Sequence, residues 1–101
     1  GQLKTSAFVP CKPAKGIRYV MPRKALTENP DGVNLFMRVD AIYHNSCVLV
    51  KSGDKVLAKK RVAHMIPSEM INIPLTHEKI AHLTEPITAE VVPLRANVSE
   101  T

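Results

Sequence analysis

Eight prolines and four glycines are spread along this chain rather than clustered, and that punctuation sets what it can become. Helices of useful length would not survive such punctuation, whereas short strands would. The segments between the breaks are rich in Val and Ile and poor in aromatic residues, which favours strands over helices. No heptad and no internal repeat is present.

The stretch Val48–Leu75, VLVKSGDKVLAKKRVAHMIPSEMINIPL, organises the rest. It reads as a strand, a tight turn, a long strand, a second turn and a third strand. Ser52-Gly53-Asp54-Lys55 supplies the positive φ that a hairpin loop requires. The return strand, Val56–Met65, alternates until Lys60, where either a bulge shifts the register or the strand end is solvated. Ile66–Glu69 turns the chain, and Met70–Leu75 alternates again, with Pro74 marking a sheet edge.

The clearest strand lies upstream, at Val33–Asp40. Val33, Leu35, Met37 and Val39 face one way, while Asn34, Phe36, Arg38 and Asp40 face the other. Before it, Ile17, Tyr19 and Met21 alternate with Arg18 and Val20 until Pro22, which suits an edge that switches between two sheets. Ala41–Ser46 reads as a loop and Cys47–Lys51 as a strand. Thr76–Leu83 is the one helical turn, with Thr76 at the N-cap and Ile80 and Leu83 pointing inward. Ile87–Val92 closes the set.

Six to seven short strands at this spacing predict an all-β, immunoglobulin-like or fibronectin-like antiparallel β-sandwich with one short helical turn. A chain of 101 residues fits one such domain. The expected division is a linker or edge segment over 1–15, a sandwich over 16–94 and a polar tail over 95–101. The absence of Trp removes the Cys-Trp-Cys pattern of true immunoglobulin domains.

Candidate chemistry is sparse. His77 and His82 are spaced for neither a helix face nor a strand face, and His44 and His64 suggest no metal site. Ser68, His64 and Glu69 can be combined on paper, but no nucleophile elbow accompanies them. The expectation is therefore no catalytic, cofactor-binding or metal-binding residue. Cys11 and Cys47 are 36 residues apart, outside any CxxC pair, and are expected as reduced thiols of a cytoplasmic protein rather than as a bridge. No apolar run is long enough to span a membrane, and no signal peptide is visible. Because the chain starts at Gly1 and not at Met, a piece excised from a longer polypeptide is expected.

The net charge is +5, from 14 Lys and Arg against 9 Asp and Glu. The densest positive run is Lys59-Lys60-Arg61, with Lys51 and Lys55 nearby. Strand geometry splits such a run between two faces. Lysines on an edge strand also protect it from unwanted pairing. The functional reading of Lys55, Lys59, Lys60 and Arg61 is a docking patch for an acidic partner or a neighbouring domain. Nucleic acid is not expected, because stacking aromatics are scarce.

One resemblance places such a module. Gly16–Ala25, GIRYVMPRKA, resembles the opening of the β-sandwich at the C-terminus of bacterial, clostridial-type FAD-dependent pyridine-nucleotide oxidoreductases. In that family a strand of the form IRYVVPQ precedes a strand like Leu35–Val39, and a hairpin then leads to a basic strand and a Pro-x-Glu-Met turn. Here the last two are Lys59-Lys60-Arg61 and Pro67-Ser68-Glu69-Met70. The likeness spans about residues 16 to 75. It implies a non-catalytic accessory domain that contacts the upstream flavin- and nucleotide-binding domains or a partner subunit, with FAD and NAD(P) held by the parent protein. The alternatives are a stand-alone ligand-binding or adhesion module and a basic nucleic-acid-binding module.

Overall fold

The computed structural model describes residues 8–94. Eight strands form two sheets that pack as a β-sandwich, with one short helical turn. In chain order these are β1 (Phe8–Pro13), β2 (Ile17–Met21), β3 (Lys24–Leu26), β4 (Val33–Val39), β5 (Tyr43–Ser52), β6 (Lys55–Met65), β7 (Ile71–Leu75), α1 (His77–Ile80) and β8 (Ile87–Pro93). The larger sheet has the order β3-β1-β8-β5-β6, and the smaller has the order β2-β4-β7.

The core lies between the sheets. Leu35, Met37 and Val39 of β4 are completely buried, as are Val48 and Val50 of β5. Ile87, Ala89 and Val91 of β8 join them. Alternation at these strands follows from one wet and one dry face per sheet. The hairpin loop behaves as its residues demand. Gly53 has φ +59 and Asp54 does not share that sign, the pattern of a type II′ turn.

The chain does switch sheets at Pro22. β2 belongs to the smaller sheet and β3 to the larger, and the Met21–Pro22 peptide bond between them is cis. Pro74 lies on β7, an edge strand of the smaller sheet.

Several expectations change. The segment expected as a linker or edge strand contains β1, which lies inside the larger sheet and not at its edge. β1 pairs antiparallel with β3 through Phe8–Pro10, then parallel with β8 through Cys11–Pro13. Pro10 sits where the strand changes neighbours, so its missing N–H interrupts no continuous ladder. The sandwich therefore includes residues before 16, and it has one parallel pairing. Tyr43–Ser46, expected as a loop, begins β5; Ser46 is buried there and its hydroxyl donates to the His44 carbonyl at 3.0 Å. The bulge in the hairpin lies at Leu57 rather than Lys60, because Val50 faces Ala58 while Lys51 faces Val56. Thr76 takes the N-cap position of α1 but makes no side-chain cap. The tail expected over 95–101 lies outside the described residues.

Candidate functional site

A second bulge turns apolar side chains outward on the smaller sheet. In β2 the register against β4 shifts between Ile17 and Tyr19. The extra residue, Arg18, turns the following side chains over. Ile17 and Val20 remain buried, while Tyr19 and Met21 leave the core face on which a strict period of two would have kept them with Ile17. The outer face of the smaller sheet then carries a row of Met21, Phe36 and Asn72, beside the pair Tyr19 and Arg38. Met70, just before β7, adds to it.

Met21 is 50%, Met70 46% and Phe36 40% exposed. A depression of about 400 Å³ is lined by Tyr19, Val20, Met21, Arg23 and Met70. The Arg38 guanidinium donates through Nη1 to the Ser68 carbonyl at 3.4 Å. Its Nε is buried and has no partner among the described residues. That Nε is covered by the protein's own atoms, so Arg38 offers a partner only the outer part of its guanidinium. Apolar side chains around a half-buried arginine are what the centres of protein interfaces use.

The charged residues named from the sequence do not form one patch. Lys59 and Arg61 stand opposite Leu49 and Cys47 of β5, which face outward from the larger sheet. Lys60 has the opposite parity and its amine donates to the Asn72 carbonyl of β7 at 3.4 Å. Lys55 lies at the hairpin end, paired with Ser52. The outer face of the larger sheet nevertheless gathers positive charge. Its rows place Lys12, Lys24 and Lys51 with Lys59 and Arg61. Against them stands Glu90, whose carboxylate is 3.5 Å from the Lys51 amine. Lys24 also lies over the Phe8 ring, 5.2 Å from its centre.

The remaining candidates are dispersed. His44 and His64 stack across the β5–β6 hairpin with ring centres 5.0 Å apart. His77 is tied through Nδ1 to the Asn29 carbonyl at 2.9 Å. Among the described residues, no three His, Cys, Asp or Glu side chains converge as metal ligands would. Ser68, His64 and Glu69 share no hydrogen bond among them; the Ser68 carbonyl serves Arg38 instead. Cys11 and Cys47 are free and buried. They flank β8 opposite Ile87 and Val92, which sets them roughly 17 Å apart along the strand, far beyond disulfide reach. No described helix is long and apolar enough to cross a membrane.

Set beside known proteins, the chain matches no family model, no curated protein and no solved structure.

Proposed function

We propose that this chain is a non-catalytic β-sandwich that docks on a larger body through the outer face of its smaller sheet. The observation that carries the reading is the group Met21, Phe36 and Met70, exposed together on the face that Arg38 shares. Contiguous apolar surface of this kind marks a place where another protein sits, and methionines adapt to the surface they meet. Two free, buried thiols fit a reducing compartment such as the cytoplasm.

The resemblance at Gly16–Ala25 makes the larger body the flavin- and nucleotide-binding part of an oxidoreductase. FAD and NAD(P) would then be bound outside this chain. The described residues do not fit a dinucleotide: α1 has four residues and follows no glycine-rich loop, so no helix N-terminus meets a pyrophosphate. No step of a flavin reaction is assigned to this chain.

The test is to isolate the native polypeptide from its source cells with an antibody against this domain. A species much larger than 11.1 kDa with flavin absorbance is expected. Phe36→Glu in that polypeptide should make the domain easier to release by protease. A native species near 11.1 kDa, or a release rate that Phe36→Glu leaves unchanged, would refute the reading.

The basic outer face of the larger sheet favours a second reading, an anionic partner such as nucleic acid. That reading requires binding that falls steeply with salt, and its absence at low salt would remove it.

A further inference from the structure

We propose that the open edge of β6 accepts an extended acidic segment of a partner as an additional strand. β6 ends the larger sheet and, with 11 residues, is its longest strand. β5 pairs along one side of it. On the other side, the Leu57 carbonyl is taken by the Lys79 amine at 2.7 Å, which closes the edge at the bulge. From Ala58 to His64 no strand lies beside it among the described residues. Such an edge presents unpaired N–H and C=O groups to any extended chain.

The side chains select the occupant. Four of the 11 residues of β6 are Lys or Arg, and none is acidic. Pairing with the same edge of a second copy would set like charges opposite each other, which is unfavourable. An acidic strand reverses that sign. Lys59 and Arg61 project on the outer face, so carboxylates at alternate positions of the incoming segment meet them there. The intervening side chains turn to the inner side. There a cleft of about 170 Å³ opens between β6 and the turn before β7, lined by Val62, Met65, Met70 and Ile71, with Lys60 and Glu69 among its polar groups. A segment alternating carboxylate and small apolar residues satisfies both sides. The β6 edge adjoins the Met21–Phe36 face at Met70, which lines both the cleft and the depression beside Met21, whereas Phe36 lines neither.

The opposing account is that the lysines only keep the edge bare. The experiment uses the full chain and three probes: a peptide of alternating Glu and Val, its Lys-Val counterpart, and the Glu-Val peptide with N-methylated backbone. The Glu-Val peptide should bind, and it should slow hydrogen exchange at alternate amides between Ala58 and His64. N-methylation, or Arg61→Glu with the native fold verified by its amide spectrum, should weaken binding at least about tenfold. The Lys-Val peptide should not bind, and Phe36→Glu should leave the Glu-Val affinity unchanged. Equal binding of the N-methylated peptide would reduce the effect to charge alone and overturn the proposal. So would protection that falls outside β6, or displacement of the peptide by a short oligonucleotide of equal charge with the same exchange pattern.

Discussion

The Lys79 amine reaches from α1 to the Leu57 carbonyl at the bulge of β6, 2.7 Å away. A flexible side chain thereby fills the place where a neighbouring strand would bond. Lys79→Met keeps the apolar stem and removes the donor. It should cost about 1 kcal/mol, the worth of a partly exposed charged hydrogen bond. Hydrogen exchange of the amides from Val56 to Lys59 should accelerate, while that in β4 should not change. Chemical denaturation and exchange measured on the same sample check both.

The turn before β4 contrasts with the hairpin loop. Gly32 has φ +74, and a Cβ there would collide with the Leu75 carbonyl oxygen. Gly53 has φ +59, and its Cβ would meet the Glu85 side chain at 3.1 Å. A backbone oxygen cannot yield, whereas a glutamate side chain can rotate away. Gly32→Ala should cost about 3 kcal/mol or more. Gly53→Ala should cost about 1–2 kcal/mol, the penalty of a side chain at the positive-φ position of a type II′ turn. Equal midpoints in urea would contradict this.

These two glycines also show how the sequence could be read. Turn residues and period-two alternation located β4, the hairpin and the sheet switch at Pro22, because each depends on local chemistry. β1 was hidden, since its prolines are tolerated only through a change of partner at Pro10 that no local pattern records. Tyr43–Ser46 looked like a loop because it is polar, yet Ser46 satisfies its buried hydroxyl within the strand. The candidate site was concealed by a bulge. Strict alternation grouped Tyr19 and Met21 with Ile17, and one extra residue at Arg18 turned them to solvent. Phe36 was legible: an aromatic side chain in the outward row of β4 was the available signal, overshadowed by the more conspicuous lysines of β6. That the basic run divides between faces did follow from strand periodicity.

Ile80 anchors the helical turn. With four residues, α1 has no stability of its own; it is held by burying Ile80 completely in the core. Ile80→Ala should cost about 3 kcal/mol through lost burial and a residual cavity. Leu26→Ala, at a position 39% exposed, should change stability by about 0.5 kcal/mol or less. Because Lys79 depends on the same turn, Ile80→Ala and Lys79→Met should be less than additive. A double-mutant cycle with full additivity would show that Lys79 reaches Leu57 without help from Ile80.

Burial pushes the Cys11 thiol up to about 11 from its usual 9.0. The folded protein thus holds that proton more tightly than the unfolded chain. The contribution to stability is fully present below pH 9 and is lost as pH rises toward about 11, because only the unfolded state ionises in that window. Cys11→Ala should lose this component of the alkaline decline, although the substitution itself lowers stability at neutral pH. Tyr43 adds an alkaline component of the same sign, since its hydroxyl donates to the Asp40 carboxylate at 2.7 Å and the resulting hydrogen bond raises its pKa. The measurement is urea denaturation from pH 7 to 11 for the parent sequence, Cys11→Ala and Tyr43→Phe. The decline should be shallower in each variant than in the parent. In parallel, iodoacetamide at pH 8 should modify Cys11 slowly in the folded chain and rapidly in urea, because the thiolate is the reactive form. Rapid labelling of Cys11 under native conditions would mean that β1 opens away from β8 on the timescale of the reaction.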